Sequence, residues 1–275
     1  MKILVTGATG RVGTHVVQAL IGKAHVTATS RSPRTDDSAG QPHLAWVQAD
    51  LADPQPWRAL LEGADAAFLF PAFGQTQPFI DAARDTHLPR LVLLSSGAAA
   101  DDEDSFIKTA HVTIEQQATD AGINTIRIRP TVFMANDLAW VDAIHAGVPV
   151  PLPYPAVAMP VIAEQDIAAA VAACLLTQPD RDTFHVTGPQ TLTQADRLDT
   201  LARHLTGDDA TYRDSTEQAR RHGLPGMPPP AADYLLRNLA AATKRPIAAT
   251  NDVTELLGRP AMSYSTWLQH LPVDQ

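Results

Sequence analysis

Cysteine is almost missing from this chain: Cys174 is the only one among 275 residues. A single thiol closes no internal disulfide and builds no cysteine metal cage. Its setting, the apolar run IAAAVAACLL at 167–176, marks it as a buried and inert group. Positive charge is also in deficit, with 21 Lys and Arg against 30 Asp and Glu for a net charge of -9. No basic stripe is present, so the clustered cations that hold nucleic-acid phosphates are lacking and a nucleic-acid partner is disfavoured. The densest charge run, DDED at 101–104, is acidic and reads as a solvated loop or helix start. No uninterrupted apolar stretch approaches the ~20 residues that a membrane span needs. No pair of histidines stands at metal-ligand spacing on one helical face beside a carboxylate, so no metal is expected. The first residues read as a strand entering a glycine turn rather than as a secretion signal, and the expected location is the cytoplasm.

What is present is alternation. Short apolar runs at Lys2–Thr6, Ala24–Thr29, Leu44–Gln48, Asp65–Phe70, Arg90–Ser95 and Ile123–Arg129 read as strands. Helix-period segments at Val12–Leu20, Pro56–Glu62, Pro78–His87 and Phe106–Asp120 fall between most of them. That rhythm predicts an α/β fold with a doubly wound parallel sheet and helices on both faces. Such sheets bind ligands at the carboxyl ends of their strands.

After Arg129 the rhythm changes. A helix is expected over Phe133–Ala146, then the proline-rich PVPLPYPAVAMP, then a helix capped by Asp166. The strand expected over Asp182–Thr187 returns to the sheet. Helices follow around Gln194–Leu205, Glu217–His222, Ala232–Thr243, Asp252–Leu257 and Tyr264–His270, with an irregular LPGMPPP loop at 224–230. The expected organisation is a dinucleotide-binding domain over 1–150 and a smaller substrate-binding lobe over 151–275.

Between the first strand and first helix stands VTGATGRVG at 5–13, with Gly7, Gly10 and Gly13 three apart. Glycine admits positive φ, lets backbone approach a pyrophosphate closely, and lets the helix pack on the strand. The helix start presents unpaired N–H groups and the positive end of its dipole to phosphate. These features predict a dinucleotide in a Rossmann-type NAD(P) site, with Thr9, Arg11 and Val12 in the same turn. The second strand ends TATSRSPR. Residues 27–32 hold no acid for a ribose 2′-hydroxyl, and Arg31 fits a 2′-phosphate instead, which predicts NADP(H). Arg11 and Arg34 are candidate helpers.

The phrase VTGATGRVG resembles the extended and atypical branches of the short-chain dehydrogenase/reductase superfamily. The resemblance places Asp50 and Leu51 at the adenine, and Phe70, Pro71 and Ala72 along the ribose and nicotinamide. Most of that superfamily carries a Tyr-x-x-x-Lys pair on the helix after the fifth strand, and a Ser at the end of that strand. Here the strand ends LLSSGA, so Ser95 and Ser96 match the serine, and the helix reads SFIKTAHVTIEQQ. Anchored on Glu115, the register puts His111 at the lysine position and Ile107 at the tyrosine position. Isoleucine donates no proton, so the usual pair is absent unless Lys108 and a remote residue replace it.

The His-x-x-x-Glu helix, the Arg129-Pro130 turn and Asn136 resemble the NmrA-like group of atypical short-chain reductases. So do EQDIAAA at 164–170, FHVTGPQTLTQAD at 184–196 and YSTWLQH at 264–270. The resemblance implies that Pro130 and His111 contact the cofactor, with proton donation the second role open to His111. It implies an NADPH-dependent reductase of a quinone, an activated enone or an aromatic, polyketide-like ketone, since such acceptors need no enzyme-supplied acid. Phe73, Val132, Phe133, Met134, Trp140 and Tyr154 are candidates to line a pocket for this hydrophobic small molecule, with Tyr154 a distant alternative proton donor. Two other readings stay open: a dinucleotide sensor that grips a regulatory partner without turnover, and an epimerase or dehydratase. Relatives occur as monomers and as homodimers.

Overall fold

The computed structural model describes residues 1–32, 41–224 and 226–271. Its first half runs β1 (Lys2–Val5), α1 (Arg11–Leu20), β2 (His25–Ser30), β3 (Leu44–Gln48), α2 (Trp57–Leu61), β4 (Ala66–Leu69), α3 (Gln77–Asp85), β5 (Leu91–Leu94), α4 (Phe106–Asp120) and β6 (Thr125–Pro130). β4 and β5 are buried at every residue, as continuous apolar runs must be when helices cover both faces of a parallel sheet.

The second half begins with a 3-10 helix at Met134–Trp140 and continues through α5 (Val141–His145), β7 (Val150–Leu152), β8 (Ala158–Met159), α6 (Glu164–Leu176), β9 (Thr183–Val186), β10 (Leu192–Thr193), α7 (Gln194–Thr206), β11 (Tyr212–Asp214), α8 (Thr216–His222), α9 (Pro229–Ala242), α10 (Asp252–Leu257) and α11 (Tyr264–Leu268).

Seven parallel strands lie in the order β3-β2-β1-β4-β5-β6-β9. The chain steps outward from β1 to β3 and then returns to β4. The order therefore reverses between β1 and β4, and a crevice opens above their carboxyl ends. One apolar core joins α1, α6 and α10 to one face of the sheet; another joins α2, α3 and α4 to the opposite face. Residues beyond 150 thus supply both a covering helix and the edge strand β9. A third core, holding Ile144, Leu152, Leu198, Leu201, Leu239 and Trp267, fills the smaller lobe.

Three local expectations are corrected. The expected helix over Phe133–Ala146 is a 3-10 helix followed by a short α-helix. Asp166 does not cap α6: Ala163 holds that position without a side-chain bond. Asp166 is instead fully buried in the first turn, where it pairs with Arg259 at 2.8 Å and accepts from the Met262 N–H. Within the proline-rich segment β7 pairs with β11 and β8 with β10 in two short ribbons. The loop at 224–230 ends earlier than expected, since Pro229 starts α9 where a missing N–H costs nothing.

Candidate active site

The site is built from the carboxyl ends of the strands. Beyond β1 the chain turns at Gly7, whose φ is +60°. A Cβ at Gly7 would meet that of Phe70 at 3.0 Å, and one at Gly13 would lie 2.1 Å from the Gly7 carbonyl oxygen. The backbone is therefore in close contact with itself here, leaving a shallow cradle floored by main chain. Gly10 caps α1 with no side-chain bond, and the first turn holds no acid. The helix's first N–H groups remain for an anion. Val12 is buried in the core, so only its backbone belongs to the cradle.

Two side chains tie this turn to its surroundings. The Thr9 hydroxyl is 3.2 Å from that of Ser30 at the end of β2. The Arg11 guanidinium reaches across to Asn136 on the 3-10 helix that follows β6, at 3.4 Å. Arg31 is exposed just beyond β2, and its guanidinium has no ion-pair partner among the described residues. Arg34 lies outside the described residues. Asp50 closes a turn by accepting from the Ala52 N–H at 3.0 Å, and Leu51 beside it is buried. Past β4, Phe70 overhangs Gly7, Pro71 and Ala72 are half-buried, and Phe73 is 39% exposed.

Two serines follow one another at the end of β5. Ser95 is buried and donates its hydroxyl to Glu115 at 2.5 Å. Arg129 grips the same carboxylate through Nε at 3.0 Å and Nη2 at 2.6 Å. The serine hydrogen is thus directed at the Glu115 carboxylate within the fold. Burial alone would raise the Glu115 pKa. The bonds from Arg129 and Ser95, with the charges of Arg129 and Arg127, outweigh it and hold the carboxyl below its ordinary value. Ser96 caps a 3-10 turn at Gly97–Ala100 by accepting from the Ala98 N–H at 3.2 Å. Its own hydrogen stays available.

His111 lies one turn before Glu115 on α4 and is 8% exposed. Its ring stands edge-on to Phe73 with centroids 5.0 Å apart, and Phe73 meets Phe106 in the same way at 6.2 Å. Burial pushes the imidazole down to about 4, against a smaller upward pull from Glu115. Such an imidazole is neutral near pH 7. Its Nδ1 is buried without a partner. That orphaned atom, the glycine cradle and the unpaired Arg31 together fit a dinucleotide. Phe106, 57% exposed at the lip, was not singled out by sequence pattern.

Beyond β6, Phe133 is half-buried and bridges to Ile162. Met134, expected to line the pocket, is instead only 1% exposed and packs in the lobe's core. Tyr154 accepts from Arg220 Nε at 2.8 Å, its ring under that guanidinium. Beneath Asn136 lies a buried network that sequence reading missed. Asp137 is held by Arg197 at 2.7 and 2.8 Å and accepts from the Tyr264 hydroxyl at 2.9 Å. Its members are sixty and more positions apart in sequence, so no local spacing announces them.

Residues 7–178 match the family described as NAD(P)H-binding. The chain belongs to that family. It is an NAD(P)H-dependent oxidoreductase. It is 30% identical over 272 residues to (4-alkanoyl-5-oxo-2,5-dihydrofuran-3-yl)methyl phosphate reductase of Streptomyces griseus subsp. griseus, covering 96% of each chain. It is 25% identical over 291 residues to quinone oxidoreductase 2 of Escherichia coli (strain K12), covering 98% of each. Among solved structures, the NADPH complex of an NADPH-dependent quinone oxidoreductase from Escherichia coli superposes with a TM-score of 0.81 at 22% identity, over 98% of this chain and 99% of that one. Among the described residues no helix is long and apolar enough to cross a membrane.

Proposed function

We propose that this protein uses NADPH to reduce a quinone, an activated enone or an aromatic, polyketide-like ketone. One observation carries the reading: an exposed phenylalanine lip, Phe73 and Phe106, borders the buried His111, and Ile107 stands where short-chain enzymes usually hold the proton-donating tyrosine. When bound, NADPH supplies the hydride. The cradle of Gly7, Gly10 and Gly13 holds the pyrophosphate through backbone N–H groups, and Arg11 closes over it. Arg31 pairs with the 2′-phosphate, and Asp50 and Leu51 meet the adenine. Phe70, Pro71, Ala72 and Pro130 flank the ribose and nicotinamide, and His111 gives its orphaned Nδ1 to a hydrogen bond with this end of the cofactor.

The chain's own contribution to rate is then orientation and exclusion of water. Phe73 and Phe133 present apolar surface to a planar acceptor, while residues 151–275 close the cleft from above. No strong acid is needed, because quinones and conjugated enones give well-stabilised anions that water protonates. The named substrate of the Streptomyces relative is an alkene conjugated to two carbonyl groups, which is an acceptor of this kind.

The test mixes purified protein and NADPH with menadione, chalcone and an aromatic ketone and follows loss of nicotinamide absorbance. Turnover above the uncatalysed rate supports the reading. Tight NADPH binding with no turnover of any of them sinks it in favour of a sensor.

A further inference from the structure

Three exposed phenylalanines gather at one end of the cleft. Phe70 and Phe73 follow β4 and are 40% and 39% exposed. Phe106 opens α4 and is 57% exposed, more than any other large apolar side chain among the described residues. Apolar side chains left singly in water are ordinary, but a cluster of them beside a cleft marks a surface that a ligand covers. The ring of Phe106 is also held in place. The Ser105 hydroxyl caps α4 by accepting from the Lys108 N–H at 3.0 Å, and Phe73 meets the Phe106 ring at 87°. An edge-to-face contact covers at most one face of a ring, so a face of Phe106 stays open. Phe73 meets His111 at 85° as well, so a single phenyl ring stands between Phe106 and the imidazole. The segment that leads into Phe106, DDED at 101–104, is wholly acidic and disfavours an anion against the ring.

We infer that Phe106 selects the acceptor: its open face stacks on the outer ring of a planar, uncharged, fused-ring substrate whose reducible ring lies at the His111 end. The inference rests on the reductase reading above and narrows it to acceptors of the naphthoquinone class. A single-ring acceptor held at the reducible position has no second ring to lay on the lip. Phe106 therefore adds binding that only the fused system collects, and it does so equally before and during hydride transfer. Such a contact lowers KM and leaves kcat alone.

The experiment measures KM and kcat at saturating NADPH for 2-methyl-1,4-benzoquinone and for menadione, which is the same methylquinone with a benzene ring fused to it. The proteins are wild type, Phe106→Ala, Phe106→Leu, Phe106→Trp and Val112→Ala, the last an exposed position on the same helix. Phe106→Ala is expected to raise KM for menadione about fivefold more than KM for the benzoquinone, the range of one aromatic stacking contact. Phe106→Leu, apolar but without a ring, follows Phe106→Ala, whereas Phe106→Trp keeps the wild-type ratio of the two KM values. Val112→Ala keeps that ratio too. Affinity for NADPH and thermal melting register any wider disturbance of α4.

A KM ratio unchanged in Phe106→Ala, or shifted equally in Val112→Ala, would overturn the inference and leave the reductase reading standing. So would a wild type that reduces the benzoquinone or chalcone but not menadione. A wild type that binds NADPH and reduces none of the three removes both.

Discussion

Ser95 and Glu115, twenty positions apart, are joined by a 2.5 Å hydrogen bond, and Arg129 clamps the carboxylate from its other side. The cluster ties β5, α4 and β6 together beneath the candidate site. Removing one partner of a buried ion pair strands the other, which costs about 3 kcal/mol or more. Glu115→Gln is therefore expected to lower unfolding free energy by roughly that much in urea titration. Ser95→Ala loses one charge-assisted bond, about 2 kcal/mol. Its NADPH turnover per folded molecule should stay within twofold of wild type. A hundredfold loss in Ser95→Ala at unchanged stability would return the serine to the chemistry.

The parallel sheet was legible because its interior strands must be continuously apolar, and Leu91–Leu94 is as plain as such a strand can be. The glycine turn was legible because spacing and context are both local. The short ribbons were not: β8 and β10 have two residues each, too few for any periodicity to show. At the site, sequence register set His111 and Ile107 on α4, but the serine's hydrogen was assigned by Glu115 on a different element. The neutrality of His111 likewise comes from burial, with Phe73 packed edge-on against its ring. Tertiary neighbours decide these properties, and spacing carries none of them.

His111 makes stability depend on pH in a defined direction. Its folded pKa of about 4 lies below the ordinary 6.5, so between those values the unfolded chain binds a proton that the native state refuses. Stability is full above about pH 6.5 and falls as pH drops toward 4, by on the order of 3 kcal/mol. Thermal melting across this range should show the slope, and His111→Gln should flatten it. The same variant should bind NADPH about tenfold more weakly, as expected for one lost hydrogen bond in a buried site. An unaltered pH slope would mean that the imidazole is not sealed from water.

Arg31 separates the two nicotinamide cofactors. An exposed guanidinium with no ion-pair partner among the described residues gains a doubly charged partner only when the ribose carries a 2′-phosphate. Arg31→Ala is expected to weaken NADPH binding by about 2 kcal/mol, near thirtyfold, while NADH changes less than threefold. Titration calorimetry with both cofactors gives the ratio directly. NADPH affinity should also fall steeply with added salt in the wild type, and less so in the variant. Equal weakening of both cofactors would detach Arg31 from the phosphate.

Gly13 and Gly10 offer a graded test of the cradle itself. A Cβ at Gly10 would lie 3.2 Å from the Gly7 carbonyl oxygen, a contact that a few tenths of an ångström relieves. At Gly13 the same atom is approached to 2.1 Å, so α1 must move away from the turn before any side chain fits. That movement opens the helix–sheet packing of Val12, Val16 and Val17 and withdraws the α1 N-terminus from the pyrophosphate. Gly13→Ala is therefore expected to cost 3 kcal/mol or more, roughly the range of core overpacking, whereas Gly10→Ala costs about 1. NADPH affinity should follow the same order in fluorescence titration. The two losses share one cause, so a Gly13→Ala protein of full stability and full NADPH affinity would mean that the turn is not packed as these distances require.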